Sequence, residues 1–208
     1  MSNNIVMRLG RAFASKLCYD DSCHNTPTST SFFVGSNSQY FGDSEEPLCN
    51  DSRATHNALC IYDFFRSKGW SLQAISALLG NIQQESTFNS ALVEIGGTGR
   101  GFVQWTPPED LYYALNVLYG HHNDWYDPVK QLEVLWAEYQ ESTGIAHRGI
   151  EPQWYKTSKY KVSWDEWAHS VASPEYLAQV FQACYERPYK IHSERSDYAR
   201  EWYEYLRR

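Results

Sequence analysis

Glu85 is placed where a carboxylic acid can do proton chemistry. It follows Ile82 by three residues and Leu78 by seven. Helical spacing therefore puts it at the edge of the apolar stripe Leu72, Ile75, Leu78, Leu79 and Ile82. The same helix is predicted to end at about Glu85 or Ser86, where the negative end of its dipole lies. Partial burial and the dipole both favour the neutral acid over the anion. A carboxyl held protonated near neutral pH can serve as a general acid. Spacing alone fits a solvated helix-end glutamate equally well. The segment that follows, Leu92 to Trp105, carries Gly96, Gly97, Gly99 and Gly101 between short β-type runs. It reads as a hairpin or glycine-rich loop forming one wall of a cleft over Glu85.

The elements that would position this acid are mostly helical. A stripe with Leu59, Tyr62 and Phe65 predicts a helix from about residue 54, ended by Gly69. Ser71 is a cap for the helix that carries Glu85. Pro108-Glu109-Asp110 opens another, stopped by Gly120, and Asp127-Pro128 opens the next. Ser163 starts a short helix around Trp164 and Trp167, and Ser173-Pro174 a further one bearing Leu177, Val180, Phe181 and Cys184. A last helix holds Tyr198, Trp202 and Leu206. The fold class is α+β, predominantly helical, with a small β-hairpin beside the helix of Glu85. Residues 54–208 form this domain. Residues 1–53 form a separate N-terminal part: a short amphipathic helix with Ile5, Leu9, Phe13 and Leu17, then a polar Thr/Ser/Pro/Asn-rich linker or arm.

Composition narrows the function. The chain has 208 residues, net charge −7 and 16% aromatic residues, with 8 Trp and 16 Tyr. The acidic balance speaks against a dedicated nucleic-acid binder and against docking on an anionic bilayer. No apolar run is long enough for membrane insertion. Arg8 and Arg11 interrupt the apolar pattern at the start, so a signal peptide is not expected. Tryptophan and tyrosine fill cores, and they also line sugar sites, where a flat apolar face and a polar tip both meet the ligand. Four of the five cysteines (Cys18, Cys23, Cys49, Cys60) lie in the first 60 residues, and Cys184 falls on an apolar helix face. Two disulfides, free or buried thiols, and a structural zinc held with His24 all remain open for the first four. The run His121-His122-Asn123-Asp124 reads as a solvated loop, because adjacent histidines do not converge on a metal without distant partners. No phosphate loop, dinucleotide fingerprint or zinc-protease helix occurs, and no cofactor is implied. Neither Cys60 nor Cys184 has a histidine in a nucleophile arrangement, and both fit apolar faces better.

The run Gly80-Asn81-Ile82-Gln83-Gln84-Glu85-Ser86-Thr87-Phe88-Asn89, followed by Gly101-Phe102-Val103-Gln104-Trp105-Thr106, resembles the lysozyme-like superfamily. Within it the chain is most similar to the phage tail lysozyme family. Lys68-Gly69-Trp70, the continuation Gln104-Trp105-Thr106-Pro107 and Tyr185-Glu186-Arg187-Pro188 also fit. The resemblance covers about residues 54–207 and leaves 1–53 uncovered.

The resemblance implies a muramidase that cleaves the β-1,4 bond between N-acetylmuramic acid and N-acetylglucosamine in peptidoglycan glycan strands. It makes Glu85 the proton donor. Glu94 is the nearest candidate in sequence for a second carboxylate, although strand alternation equally predicts a solvent-facing residue there. Asp110 and Glu109 read as first-turn acids favoured by the dipole. Ser86, Gln104, Trp105 and Tyr185 are candidate substrate-binding residues. The amide of Gln104 suits N-acetyl or hydroxyl groups, and the ring of Trp105 suits either stacking or the core. Glu186 with Arg187 is expected to form a structural ion pair. The resemblance places the protein on a virion tail, acting on the bacterial wall, with residues 1–53 as a contact for other tail proteins. The chain then reads as a short lysozyme or as the front of a larger assembly. A lytic transglycosylase using the same acid, with the muramyl 6-hydroxyl in place of water, is a second reading. A non-catalytic tail or glycan-binding protein is a third.

Overall fold

The computed structural model describes residues 52–189 and 191–208. Seven α-helices occur among them, in the order α1 (Ser52–Ser67), α2 (Leu72–Ser86), α3 (Glu109–Tyr119), α4 (Pro128–Ser142), α5 (Trp164–Ala168), α6 (Pro174–Phe181) and α7 (Glu194–Leu206). Of the N-terminal part expected over residues 1–53, residues 1–51, with the amphipathic helix, the linker, Cys18, Cys23 and Cys49, lie outside the described residues, and Ser52 and Arg53 belong to α1. No described helix is long and apolar enough to cross a membrane.

The starts and stops follow local chemistry. Ser71, Ser163 and Ser173 each accept a backbone N–H of the first turn of α2, α5 and α6, and Asp127 does so for α4. Ser163 and Glu166 complete a reciprocal capping box. Gly120 closes α3 at φ 80°, a conformation that costs a residue without Cβ nothing. The turn Gln182–Glu186 continues α6 as a π-helical turn.

The expected β-hairpin is not built. Between α2 and α3 the chain makes two isolated antiparallel bridges, Val93 with Arg100 and Arg100 with Trp105. Gly96, Gly101 and Gln104 all take positive φ, so no stretch stays extended long enough to form strands. This segment is a folded loop, and it is pinned from below. The buried Gln131 of α4 accepts from Phe102 N (2.9 Å) and donates to Ser90 O (2.8 Å) and Trp125 O (2.7 Å). A Cβ at Gly101 would meet that amide at 2.5 Å.

α2 is the central helix and packs along α7. A Cβ at Gly80 would lie 2.5 Å from Arg195 O and 2.7 Å from Ala199 N, so the backbones can meet here only across a glycine. On the other side lies an aromatic core. Trp70 stacks on Phe65 at 4.2 Å and meets Trp167 edge-on at 5.6 Å, Trp154 stacks on Trp164 at 5.4 Å, and Phe181 stacks on Tyr185 at 4.8 Å. Trp70, Trp105, Trp154, Trp164, Trp167 and Trp202, six of the eight tryptophans, are buried. The high aromatic content therefore builds the core more than any ligand surface.

Candidate active site

Glu85 sits on the last turn of α2 and lines a cleft of about 620 Å³. Glu94, Gln104 and Trp105 of the folded loop form one wall. Asp110, Gln153 and the segment Tyr185–Tyr189 line the cleft too.

The residues around Glu85 tie α2 to α7. The carboxylate of Glu85 is ion-paired with the guanidinium of Arg195, which is almost wholly buried. Arg195 also donates to Asn81 Oδ1 at 3.0 Å, and Asn81 in turn donates to Ala77 O and Ala178 O. Trp202 Nε1 donates to Gln83 Oε1 at 2.7 Å. Gly80, Asn81, Gln83 and Glu85 thus all act on α7. After Ser86 the chain turns sharply, with Thr87 and Phe88 both at positive φ (52° and 61°). This conformation is unfavourable for residues with a Cβ. It is held by Asn57, which donates to Phe88 O at 2.9 Å, and by the Phe88 ring, buried edge-on against Trp202.

The other sequence candidates divide. Ser86 is buried, donates to Phe102 O at 2.8 Å, and is not among the residues that line the cleft. Its hydroxyl joins α2 to the loop. Glu94 lines the cleft and is exposed, with Oε2 accepting Gly99 N at 3.0 Å. Gln104 lines it too, at φ 51°, and donates to Gly101 O at 2.7 Å. Trp105 and Tyr185 border the cleft with only 3% and 4% of their surface exposed, so neither offers an open stacking face. The fully exposed ring on this cleft is Tyr189. The expected ion pair of Glu186 with Arg187 is not formed. Arg187 instead donates to Gln153 O (2.9 Å) and Gln153 Oε1 (3.0 Å) and lies over the Tyr155 ring. Its φ of 49° ends the π turn.

Three further charged groups complete the site, and helical periodicity gave no sign of their role. Glu138 is a buried acid on α4. It accepts Trp105 Nε1 at 3.0 Å and Tyr185 Oη at 2.8 Å, so it fixes the two rings that border the cleft. Burial pushes its carboxyl up to about 8, against the pull of those two bonds. Glu186 lines the cleft with its Oε1 sealed from solvent and unpaired. Burial first, and then the charge of Glu85, raise its carboxyl well above the usual range. Asp110 is a first-turn acid of α3, as its position implied, and it also lines the cleft. Its carboxyl is raised by burial and by Glu109, and it accepts Gln153 Nε2 at 3.2 Å. Arg195 was invisible for the same reason as these, because its link to Glu85 spans 110 positions. Among the described residues no group of three His, Cys, Asp or Glu is placed to hold a metal ion.

Comparison with known proteins places this cleft in a family. The phage tail lysozyme profile matches residues 56–206. The chain belongs to the phage tail lysozyme family. A relative, morphogenesis protein 1 of Bacillus phage B103, is 33% identical over 161 residues, which are 73% of this chain and 40% of the relative. The chain therefore spans well under half the length of that protein. The match covers α2 to α7 of this phage tail lysozyme domain and all of α1 but its first four residues.

Proposed function

We propose that this domain is a peptidoglycan muramidase, with Glu85 as the proton donor to the β-1,4 oxygen between N-acetylmuramic acid and N-acetylglucosamine. The observation that carries the reading is the position of Glu85. It is a helix-end carboxyl set rigidly by α7 on the wall of an open cleft in a lysozyme-family domain. Glycoside cleavage needs a proton at the leaving oxygen and negative charge facing the oxocarbenium-like carbon. The cleft presents Glu85, Glu186, Asp110 and Glu94 for those tasks. Proton transfer from Glu85 breaks the C1–O bond and releases the 4-hydroxyl of N-acetylglucosamine. Water then adds to C1, and its proton returns to a cleft carboxylate. The amides of Gln104 and Gln153 suit N-acetyl groups, and Tyr189 offers the ring face that Trp105 does not. The family supports action at a virion tail on the bacterial wall, and we assign residues 1–53 to contact with other tail proteins.

The test is mass spectrometry of muropeptides released from purified peptidoglycan by the native chain and by Glu85→Gln. Products carrying an added water at muramic acid, absent with the variant, are expected. Products lighter by one water, ending in 1,6-anhydromuramic acid, would replace hydrolysis with transglycosylation. Binding to walls without release would mark a non-catalytic module.

A further inference from the structure

Four acids line the cleft, Glu85, Glu94, Asp110 and Glu186, yet its proposed substrate is itself acidic. Each N-acetylmuramic acid carries a lactyl ether on its 3-oxygen. That group ends in a carboxylate, or it is amide-linked to a peptide stem that brings carboxylates of its own. A cleft of acids alone would repel such a strand. Arg187 is the only lysine or arginine among the described residues that line the cleft. Arg195, the partner of Glu85, is buried and does not line it.

We infer that Arg187 receives the carboxylate borne on the 3-oxygen of N-acetylmuramic acid, and that the cleft thereby selects glycan strands carrying that anion over neutral ones. This inference deepens the muramidase reading and rests on it. The lactyl group and the stem offer the same chemistry, a carboxylate, and differ in which strands present it.

Arg187 is exposed, yet its guanidinium is held in place. Nη1 donates to Gln153 O at 2.9 Å and Nη2 to Gln153 Oε1 at 3.0 Å. The Gln153 amide is oriented in turn by Asp110, whose Oδ2 accepts its Nε2 at 3.2 Å. The centre of the Tyr155 ring lies 4.6 Å from the guanidinium carbon. The backbone is fixed as well: Arg187 takes φ 49°, its N–H donates to Gln182 O, and Pro188 follows. Both oxygens that accept from the side chain are neutral, and among the described residues no carboxylate forms an ion pair with it. The guanidinium fork has further N–H groups to donate, and its geometry suits a carboxylate. Holding the side chain in advance lowers the entropy lost when a ligand binds.

The experiment compares three soluble glycan strands: intact strands with their stems, strands stripped by an amidase to the lactyl carboxylate, and stripped strands with that carboxyl blocked as its methylamide. Native chain and Arg187→Gln are assayed on each. The native chain should prefer a carboxylate-bearing strand to the blocked one by about tenfold in kcat/KM, through KM more than kcat. The preference should shrink at about 0.5 M salt and fall close to one in Arg187→Gln. It is a ratio taken within each protein, so a partly misfolded variant does not distort it. A preference shown by stripped strands assigns the lactyl carboxylate, and one confined to intact strands assigns the stem. Equal use of all three strands by the native chain, or a preference that survives Arg187→Gln, overturns the inference and leaves the muramidase reading standing. Absence of release from every strand overturns the muramidase reading instead. The Arg187 ratio is then read from calorimetric binding of the disaccharide N-acetylglucosaminyl-N-acetylmuramic acid, free and as its methylamide, which lacks the scissile bond.

Discussion

Replacing Glu138 by Gln should remove a large part of the pH dependence of folding stability. The glutamate is 1% exposed and joins the two rings that border the cleft. Its carboxyl lies near 4.5 in an unfolded chain and is pushed up to about 8 in the fold, by burial above all. A group raised in this way binds more protons folded than unfolded. Its stabilising effect is complete below about 4.5, declines as pH rises, and is gone above about 8. At about 1.4 kcal/mol per pH unit the ceiling on that decline is on the order of 5 kcal/mol. Relaxation and water entry reduce it, so about 2–4 kcal/mol is the working expectation. An amide has the same shape. Its oxygen accepts Trp105 Nε1, its NH₂ donates to the Tyr185 oxygen, and it does not titrate. Urea denaturation at pH 5, 7 and 9, followed by tryptophan fluorescence, reads the effect directly. Native and Glu138→Gln proteins should have similar stability at pH 5, and the variant should be the more stable at pH 9. Other carboxyls titrate in both and cancel in the difference. Equal slopes with pH in the two proteins would refute the argument that Glu138 is folded as a neutral acid.

Two backbone predictions follow from close approaches. Gly80→Ala places a Cβ against the backbone of Arg195 and Ala199, so α2 and α7 must separate. A loss of about 1–3 kcal/mol is expected from the denaturation midpoint, together with lower activity, because the same shift draws Arg195 from Glu85. Gly101→Ala meets a left-handed φ of 76° and the buried amide of Gln131 at once. It should cost about 2 kcal/mol or more in the same assay, since the conformation alone costs about 1–2.

Most of the helical frame was legible in the sequence, because helix ends are local events. Ser71, Asp127, Ser163 and Ser173 cap with atoms a few positions away, and Gly120 needs only its own φ. Residues 92–105 read locally as a hairpin or a glycine-rich loop, and the structure has the loop. Short β-type runs between glycines fit strands or a folded loop equally well locally. The buried amide of Gln131, 29 positions from Phe102, holds the loop form together. The position of Trp105 suits sugar stacking and core equally in sequence, and its indole N–H is committed to Glu138, 33 positions away. Charged residues at helical spacing look solvated by default, so Glu138, Glu186 and Arg195 gave no signal of the network they form. The one exception was Glu85, which stands beside an apolar stripe.

The left-handed conformations show how that network relates to the cleft. The described residues contain four non-glycine positions at positive φ: Thr87, Phe88, Gln104 and Arg187. Thr87 and Phe88 come just after Glu85 and Ser86, Arg187 follows Glu186, and Gln104 precedes Trp105. Each therefore turns the chain beside a residue that borders the cleft or, for Ser86, beside one that joins α2 to its wall. Such conformations persist only where the surroundings over-determine them. Here the surroundings are specific: the Asn57 bond to Phe88 O, the Gln104 amide on Gly101 O, and the Arg187 N–H on Gln182 O at 2.8 Å. Regular helix would carry Glu85 and Glu186 onward along their own axes. Ending both helices abruptly, one by a turn held from Asn57 31 positions away and one by a local bond to Gln182 O, brings two carboxyls from distant parts of the chain to one cleft. The packing of α2 on α7 and the strain at these turns thus serve the same end, the fixed placement of Glu85 on Arg195 in the cleft that Glu186 also lines.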